Sequence, residues 1–408
     1  MTNTTNNQAL SNSTDDATTA VNATDRVATN DPTNVLEVKN LSVEFTTRHG
    51  TLKALNEVSF SIAAGEVVGV VGESGAGKSL TGAAIIGLLE PPGRISGGEI
   101  LLAGRRIDQL PDDQMRKIRG REIGAIFQDP LTSLNPLYTV GHQITETIVT
   151  HLPLTWSQGR NRAIELLEAT GIPAARERID HYPHQFSGGM RQRVVIALAL
   201  AAEPKLIVAD EPTTALDVSI QAQIIELLKK LCREHGAAVM LITHDMGVIA
   251  ETADRVVVMY AGRIAEVGKV RDVIHAPRHP YTVGLMGSIP SIHQHVERLV
   301  QIDGTMPRLN AIPQGCAFNP RCVKVMDRCK LERPELQILE SSQIDQTDPE
   351  QAGAYSLSAL WVCERMSEMW EPSGTIALAR QKRQHPAFHL RQYKVGRNRV
   401  WSRMVHAD

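Results

Sequence analysis

The sequence predicts an α/β fold with a mainly parallel sheet, and three observations carry that expectation. Four fully apolar runs, "VVGVV" (67–71), "KLIVAD" (205–210), "AAVMLIT" (237–243) and "RVVVMYAG" (255–262), read as buried strands. A helical stretch, "SIQAQIIELLKKLCREHG" (219–236), separates the second run from the third. The first run passes directly into a glycine loop and then into a helix-like apolar segment, "GESGAGKS" (72–79) and beyond. Strands alternating with helices imply parallel pairing, because parallel neighbours need a crossover long enough to hold a helix.

In chain order, residues 1 to 33 are rich in Thr, Asn, Asp and Ala with almost no large apolar side chain. Such a segment cannot bury enough surface to offset its ordering entropy and reads as a disordered tail. Alternation begins at "VLEVKNLSVEF" (35–45) and continues through "LKALNEVSFSI" (52–62), and "SGGEILLAG" (96–104) adds a further strand and turn, so an antiparallel β subdomain is expected. Residues 129 to about 190 read as a helical subdomain, with "RNRAIELLEAT" (160–170) at helical period. The α/β core therefore spans 34–289, a loop-rich region holding four of the five cysteines follows over 290–370, and 371–408 form a basic tail. That tail, whose only acids are Glu371 and Asp408, reads first as a solvated extension and second as a contact for anionic lipid or a partner.

The formal charge of −2 over 408 residues carries no signature of a nucleic-acid binder. The apolar runs fall well short of a membrane span, and the N-terminus lacks the basic-then-apolar layout of a signal peptide. With so few cysteines, a reducing, cytosolic setting is expected and a disulfide framework is not.

The loop "GESGAGKS" matches the phosphate-loop pattern in full: Gly72, Glu73, Ser74, Gly75, Ala76, Gly77, Lys78 and Ser79. The glycines let backbone N–H groups curl around phosphate oxygens, and the following helix start adds its positive end. Lys78 is expected to reach the β- and γ-phosphates and Ser79 to ligate Mg²⁺. "LIVADEP" (206–212) ends a strand in adjacent carboxylates, Asp210 and Glu211. Neighbouring acids repel unless a cation or a reacting water uses them, so Asp210 fits Mg²⁺ and Glu211 fits the group that polarises water. A strand-end acid pair alone is commonplace; behind a phosphate loop it is specific.

"FSGGMRQR" (186–193) resembles the signature motif of the ATP-binding subunits of ABC transporters, with Met190 where the family usually has Gln. The resemblance implies that Ser187, Gly188 and Gly189 touch the γ-phosphate of a nucleotide bound by another ATPase subunit. It also implies that Gln128 in "IFQDP" is the Q-loop contact to Mg²⁺ and water, that Asp217 closes the D-loop, and that His244 in "LITHD" is the switch histidine. Phe45 stands where the family stacks an aromatic, more often Tyr, on adenine. The implied fold is a P-loop ABC ATPase core of parallel sheet, antiparallel β subdomain and helical signature subdomain. Each motif occurs once, so a second ATPase subunit, a paralogue, is the expected partner.

Longer segments resemble one branch, the importers of the oligopeptide, dipeptide and nickel group, and among them the D-type subunit of a peptide permease. They are "IFQDPLTSLNPLYTVGHQI" (126–144), "YPHQFSGGMRQRVVIALAL" (182–200), "THDMGVIA" (243–250) and "HAPRHPYTVGLMGSIP" (275–290). The resemblance covers residues 35 to 366 and implies two membrane-spanning permease subunits, an extracytoplasmic substrate-binding protein, and a peripheral location on the cytoplasmic face of the plasma membrane. Di- or oligopeptides are the expected cargo; a nickel chelate, or a soluble ABC ATPase without cargo, is the alternative.

Cys316, Cys322, Cys329 and Cys363 have spacings poor for a zinc knuckle, whereas four thiolates are the usual complement of an iron–sulfur cluster. The block resembles the C-terminal region of the peptide-importer ATPases, where matching cysteines hold a [4Fe–4S] cluster, although Ala317 and Val323 replace prolines common in the family. Zinc and unligated buried thiols remain the other readings. Cys232, inside a helical run, reads as a small core residue.

Overall fold

The computed structural model describes residues 34–48, 50–213, 216–289, 301–339 and 358–361, the last without side chains. The two expected tails and Cys363 lie outside the described residues.

Alternation at the start of the core produces the antiparallel sheet. β1 (Asn34–Thr47) and β2 (Gly50–Ala63) form a hairpin, β1 also pairs with β4 (Gly93–Leu102), and β4 with β5 (Arg105–Arg106), giving the order β2-β1-β4-β5. The apolar runs form the second sheet: β3 (Val67–Val71), β6 (Ile123–Ile126), β7 (Leu206–Asp210), β8 (Ala238–Ile242), β9 (Arg255–Tyr260) and β10 (Arg263–Lys269). With β11 (Leu336–Leu339) and β12 (Ser358–Trp361) its order is β11-β12-β10-β9-β3-β8-β7-β6. The pairs β9–β3, β3–β8, β8–β7 and β7–β6 are parallel, and those beyond β9 are antiparallel.

The period of two along each strand divides the interior between the two faces of this sheet. Val68, Val70, Leu206, Val208, Ala238 and Met240 join Leu36, Phe60 and Ile100 of the antiparallel sheet in one core. Val67, Val71, Ile207, Ala209, Val239 and Leu241 join the helical side in the other. Both faces are covered, which is why these strands read as continuous apolar runs.

The helices are α1 (Lys78–Ile85), α2 (Asp112–Ile118), α3 (Val140–His151), α4 (Trp156–Ala169), α5 (Gly188–Leu200), α6 (Val218–His235), α7 (Met246–Thr252), α8 (Val270–His275), α9 (Pro280–Gly287) and α10 (Asp327–Leu331). Side-chain caps start those of the helical segment: Thr139 accepts from the His142 N–H at α3, and Thr155 forms a capping box with Gln158 at α4. Ile144, Ile148, Ala163, Leu167, Val194 and Val195 then pack α3, α4 and α5 together. None of the described helices is long and apolar enough to cross a membrane.

The region after 289, expected to be loop-rich, also carries strands. β11 and β12 extend the main sheet, with Glu266 and Val267 of β10 paired to Leu360 and Ala359. Stretches of four residues are too short to announce a strand by periodicity; backbone pairing on an available sheet edge places them.

Candidate nucleotide site

The site assembles where the parallel strands end on one side of the sheet. β3 leads into the glycine loop and α1, β6 into Gln128, β7 into Asp210 and Glu211, and β8 into His244. Because β3, β8, β7 and β6 are adjacent in that order, side chains distant in sequence come within hydrogen-bond reach. Crevices beyond the carboxyl ends of parallel strands are where such folds bind ligands.

The loop takes its shape from backbone that side chains rarely adopt. Gly77 has φ +104, and a Cβ there would lie 2.7 Å from Leu55 Cδ2; Gly72 has φ +150, and a Cβ there would strike the Met259 carbonyl. The buried Lys78 ammonium donates back across the loop to the carbonyls of Gly72 (2.8 Å) and Glu73 (3.1 Å). Burial lowers its pKa, opposed by the nearby Glu211, Asp210 and Glu73 carboxylates. An incoming phosphate restores the negative partner that a buried ammonium lacks. Ser74 and Gly75 are exposed at the loop's tip, and Ala76 is fully buried beneath it.

Beside the loop, Ser79 Oγ donates to Asp210 Oδ1 over 2.9 Å. Burial raises the Asp210 pKa, partly offset by that hydrogen bond. A hydroxyl and a carboxylate placed together next to a phosphate cradle form a donor set that fits Mg²⁺. Glu211 adopts φ +45, the left-handed region, with its N–H bonded to the Ile242 carbonyl (2.8 Å). Non-glycine residues hold that conformation where the surrounding structure imposes it. Its carboxylate accepts from Gln128 Nε2 (3.1 Å), and its other oxygen lies 3.3 Å from His244 Nδ1. Gln128 and His244 are exposed, so both reach the carboxylate from the solvent side. The arrangement fixes a carboxylate beside a cation site and a phosphate cradle, which is what activating a water for in-line attack requires.

The remaining expected nucleotide contacts lie elsewhere. Ser187 caps α5 by accepting from the Met190 N–H (3.4 Å), and Ser187 and Gly188 are exposed. A Cβ on Gly189 would lie 2.9 Å from Ile220 Cγ2. Among the described residues no hydrogen bond joins this segment to the glycine loop. Asp217 is exposed at the start of α6 with no side-chain cap. Phe45 is half-buried in β1, its ring close to where a Cβ on Gly93 would stand (2.8 Å).

Two residues that sequence reasoning missed touch the glycine loop. The buried Tyr281 hydroxyl accepts the Glu73 N–H (2.8 Å), and Arg321 pairs with the Glu73 carboxylate through both guanidinium nitrogens (2.6 and 2.9 Å). Neither belongs to a phosphate motif, and partners separated by 208 and 248 positions leave no local signal.

Cys316, Cys322 and Cys329 line one small cavity with His279, Pro280, Phe318, Asn319 and Pro334. Burial pushes the Cys316 thiol up to about 11 and raises that of Cys322. Among the described residues no three His, Cys, Asp or Glu side chains converge as a group that holds a metal ion. The ligand set expected for an iron–sulfur cluster is therefore not assembled among the three described cysteines. Cys232 is buried in α6 with its thiol pushed up to about 12, as a core residue should be.

Comparison with known proteins matches this architecture. The ABC transporter family matches residues 55–214, and the C-terminal region of oligopeptide/dipeptide transporters matches residues 265–329. The dipeptide transport ATP-binding protein DppD of Escherichia coli (strain K12) is 48% identical over 305 residues, covering 75% of this chain and 93% of that protein. The oligopeptide transport ATP-binding protein OppD of Bacillus subtilis (strain 168) is 52% identical over 288 residues, covering 70% of this chain and 80% of that one. Among solved structures, a dimeric post-hydrolysis state of the ATP-binding cassette MJ0796 bound to ADP and Pi is 33% identical with a TM-score of 0.52, covering 58% of this chain and 99% of that one. With the phosphate cradle, the paired carboxylates and a C-terminal region all of one kind, the chain belongs to the ABC transporter family, among the ATP-binding proteins of dipeptide and oligopeptide transport.

Proposed function

We propose that this chain is the ATP-hydrolysing subunit that powers import of di- or oligopeptides. The observation that carries the chemistry is the Glu211 carboxylate fixed between Gln128 and His244, in the residue next to the Asp210–Ser79 pair. Lys78 and the loop N–H groups hold the β- and γ-phosphates, and Ser79 and Asp210, with Gln128, hold Mg²⁺, which offsets charge on the phosphates. Glu211 takes a proton from the attacking water, and the γ-phosphoryl passes to that water, leaving ADP and phosphate. His244 contacts the γ-phosphate and Phe45 the adenine. Catalysis is chiefly positioning, with little covalent work for the protein.

Ser187, Gly188 and Asp217 are exposed and, among the described residues, Ser187 and Gly188 make no hydrogen bond to this chain's own glycine loop, which supports a sandwich in which Ser187, Gly188, Gly189 and Asp217 serve nucleotide bound to a second ATPase subunit. The dimeric solved relative supports the same reading. Each chain then supplies half of two sites. Relatives named for dipeptide and oligopeptide transport support peptide cargo, with two permease subunits in the membrane, an extracytoplasmic binding protein, and a peripheral cytoplasmic location. The test is ATP hydrolysis by the complex in vesicles. Stimulation by binding protein loaded with a di- or oligopeptide supports the proposal. Stimulation by a nickel chelate alone, or none by any cargo, overturns it.

The iron–sulfur reading rests on three thiols sharing one cavity and on the family resemblance of the block. No step of hydrolysis runs through it, because the hydrolytic set is complete upstream. Iron and sulfide assay after anaerobic purification decides it: stoichiometric iron and sulfide support a cluster, and an iron-free protein overturns it.

A further inference from the structure

We propose that Arg321, carried on the cysteine loop, is a positioning residue of the nucleotide site: it neutralises and holds Glu73 of the glycine loop so that this carboxylate does not oppose the bound triphosphate. The inference rests on the ATPase reading and adds a residue that the phosphate motifs do not contain.

Glu73 is the second residue of "GESGAGKS", an acid placed in a loop whose task is to receive several negative charges. Its backbone is fully employed in shaping the loop: its N–H donates to Tyr281, and its carbonyl accepts from Lys78 Nζ (3.1 Å) and from the Ala76 N–H (3.1 Å). With the backbone held in the loop, the Glu73 carboxylate stays near the phosphate cradle, and its charge needs a partner there. Arg321 meets it with the fork-on-carboxylate geometry, 2.6 Å from Nη1 to Oε2 and 2.9 Å from Nη2 to Oε1. The Arg321 side chain is only 5% exposed and that of Glu73 31%, so the guanidinium is desolvated while the carboxylate keeps part of its contact with solvent.

The guanidinium is aimed by further contacts. Nε donates to the Asp303 carbonyl (2.8 Å), Nη2 to the Ile302 carbonyl (3.3 Å) and Nη1 to the Tyr260 hydroxyl (3.4 Å), and its carbon lies 5.9 Å from the Tyr260 ring centre. Tyr260, Tyr281 and Phe318 pack edge-on or tilted against one another at 4.7–5.5 Å beneath it. Arg321 itself closes the short turn Asn319–Arg321 just before Cys322. That turn is pinned to the other thiols: Asn319 N–H bonds the Cys316 carbonyl (3.0 Å), and Asn319 Nδ2 bonds that of Cys329 (3.2 Å). Whatever orders the cysteine loop therefore orders the arginine that balances the phosphate loop.

The experiment is equilibrium binding of Mg²⁺-ATP to the full chain, with thermal unfolding without nucleotide as a check on folding. The variants are Arg321→Ala, Arg321→Lys, Glu73→Gln and the double Arg321→Ala/Glu73→Gln. Leaving Glu73 unpaired in Arg321→Ala is expected to weaken ATP about tenfold, with Arg321→Lys in between. Removing the orphaned charge in the double variant restores affinity to within about threefold of wild type. A tie that is only structural predicts the opposite, the double variant binding as poorly as Arg321→Ala. That result, or unchanged affinity in Arg321→Ala, overturns the proposal. If Arg321→Ala fails to fold, Arg321→Gln, which removes the charge but keeps a hydrogen-bonding side chain of similar length, gives the same comparison with and without Glu73→Gln. A wild-type chain that binds no ATP would fail the ATPase reading instead.

Discussion

Ser79 and Asp210 stand 131 positions apart in the chain, yet the serine hydroxyl donates to the aspartate carboxylate over 2.9 Å. This contact joins the glycine loop to the end of β7 and marks the point where Mg²⁺ is expected. Burial raises the Asp210 pKa above its ordinary value, so the folded chain binds this proton more tightly than the unfolded chain. Stability from this group is then present at low pH and lost as pH rises from the ordinary carboxylate value through the raised one. Asp210→Asn should accordingly unfold at a higher temperature than wild type at neutral pH without Mg²⁺-ATP, and the gain should shrink on acidification. Adding Mg²⁺-ATP should reverse the order, since at 100-fold excess over Kd a ligand adds about 2.7 kcal/mol to the form that binds it. Thermal unfolding with and without nucleotide reads both effects.

Glu211→Gln keeps the shape of the side chain but removes the proton acceptor. ATP should still bind, and hydrolysis by the complex should fall about 10²- to 10⁴-fold, the usual worth of a general base. Single-turnover kinetics with the partner subunit present measures the chemical step; normal turnover would remove Glu211 from the role.

Gly77→Ala places a methyl group 2.7 Å from Leu55 Cδ2 at a residue with φ +104. The expected cost is about 1–3 kcal/mol of stability, together with loss of ATP binding as the loop shifts. Denaturant unfolding and nucleotide binding test the two halves separately.

Tyr281→Phe deletes the acceptor of the Glu73 N–H and leaves the ring in its buried place. An unpaired buried donor costs about 1–3 kcal/mol. Thermal unfolding should show it, and ATP affinity should fall less than in Arg321→Ala because the charge on Glu73 stays paired.

The strands of the parallel sheet and the glycine loop were legible because each is local: an apolar run covered on both faces, then a pattern of glycines and Lys78 with its own backbone logic. Asp210 and Glu211 were legible as candidates because they close a strand behind a phosphate loop, Gln128 and His244 because their motifs resemble a family's, and the sheet order brings Glu211 to Gln128 and His244. Two features were not legible. The edge strands β11 and β12 arise from backbone pairing that leaves no periodic mark in so short a stretch. The hold of Arg321 on Glu73 depends on a chain reversal across 248 positions, and an arginine beside Cys322 looks like any other loop arginine.

The cysteines show the same division. Sequence grouped Cys316, Cys322 and Cys329, and the fold places all three on one cavity. Among the described residues they form no metal-holding group, and Cys363, the fourth member of the set, lies outside those residues. Spacing records which residues are near in the chain, while ligation depends on where their side chains point.

By itself, then, the sequence determined the class of sheet and the glycine loop, and it offered the candidate hydrolytic side chains, because these depend on short-range periodicity, residue chemistry and motif resemblance. Only the tertiary structure decided which of them meet, that Ser187 and Gly188 stay exposed, and that the cysteine loop reaches back to Glu73. Those outcomes follow from strand order and long-range packing, whose energies depend on residues hundreds of positions apart.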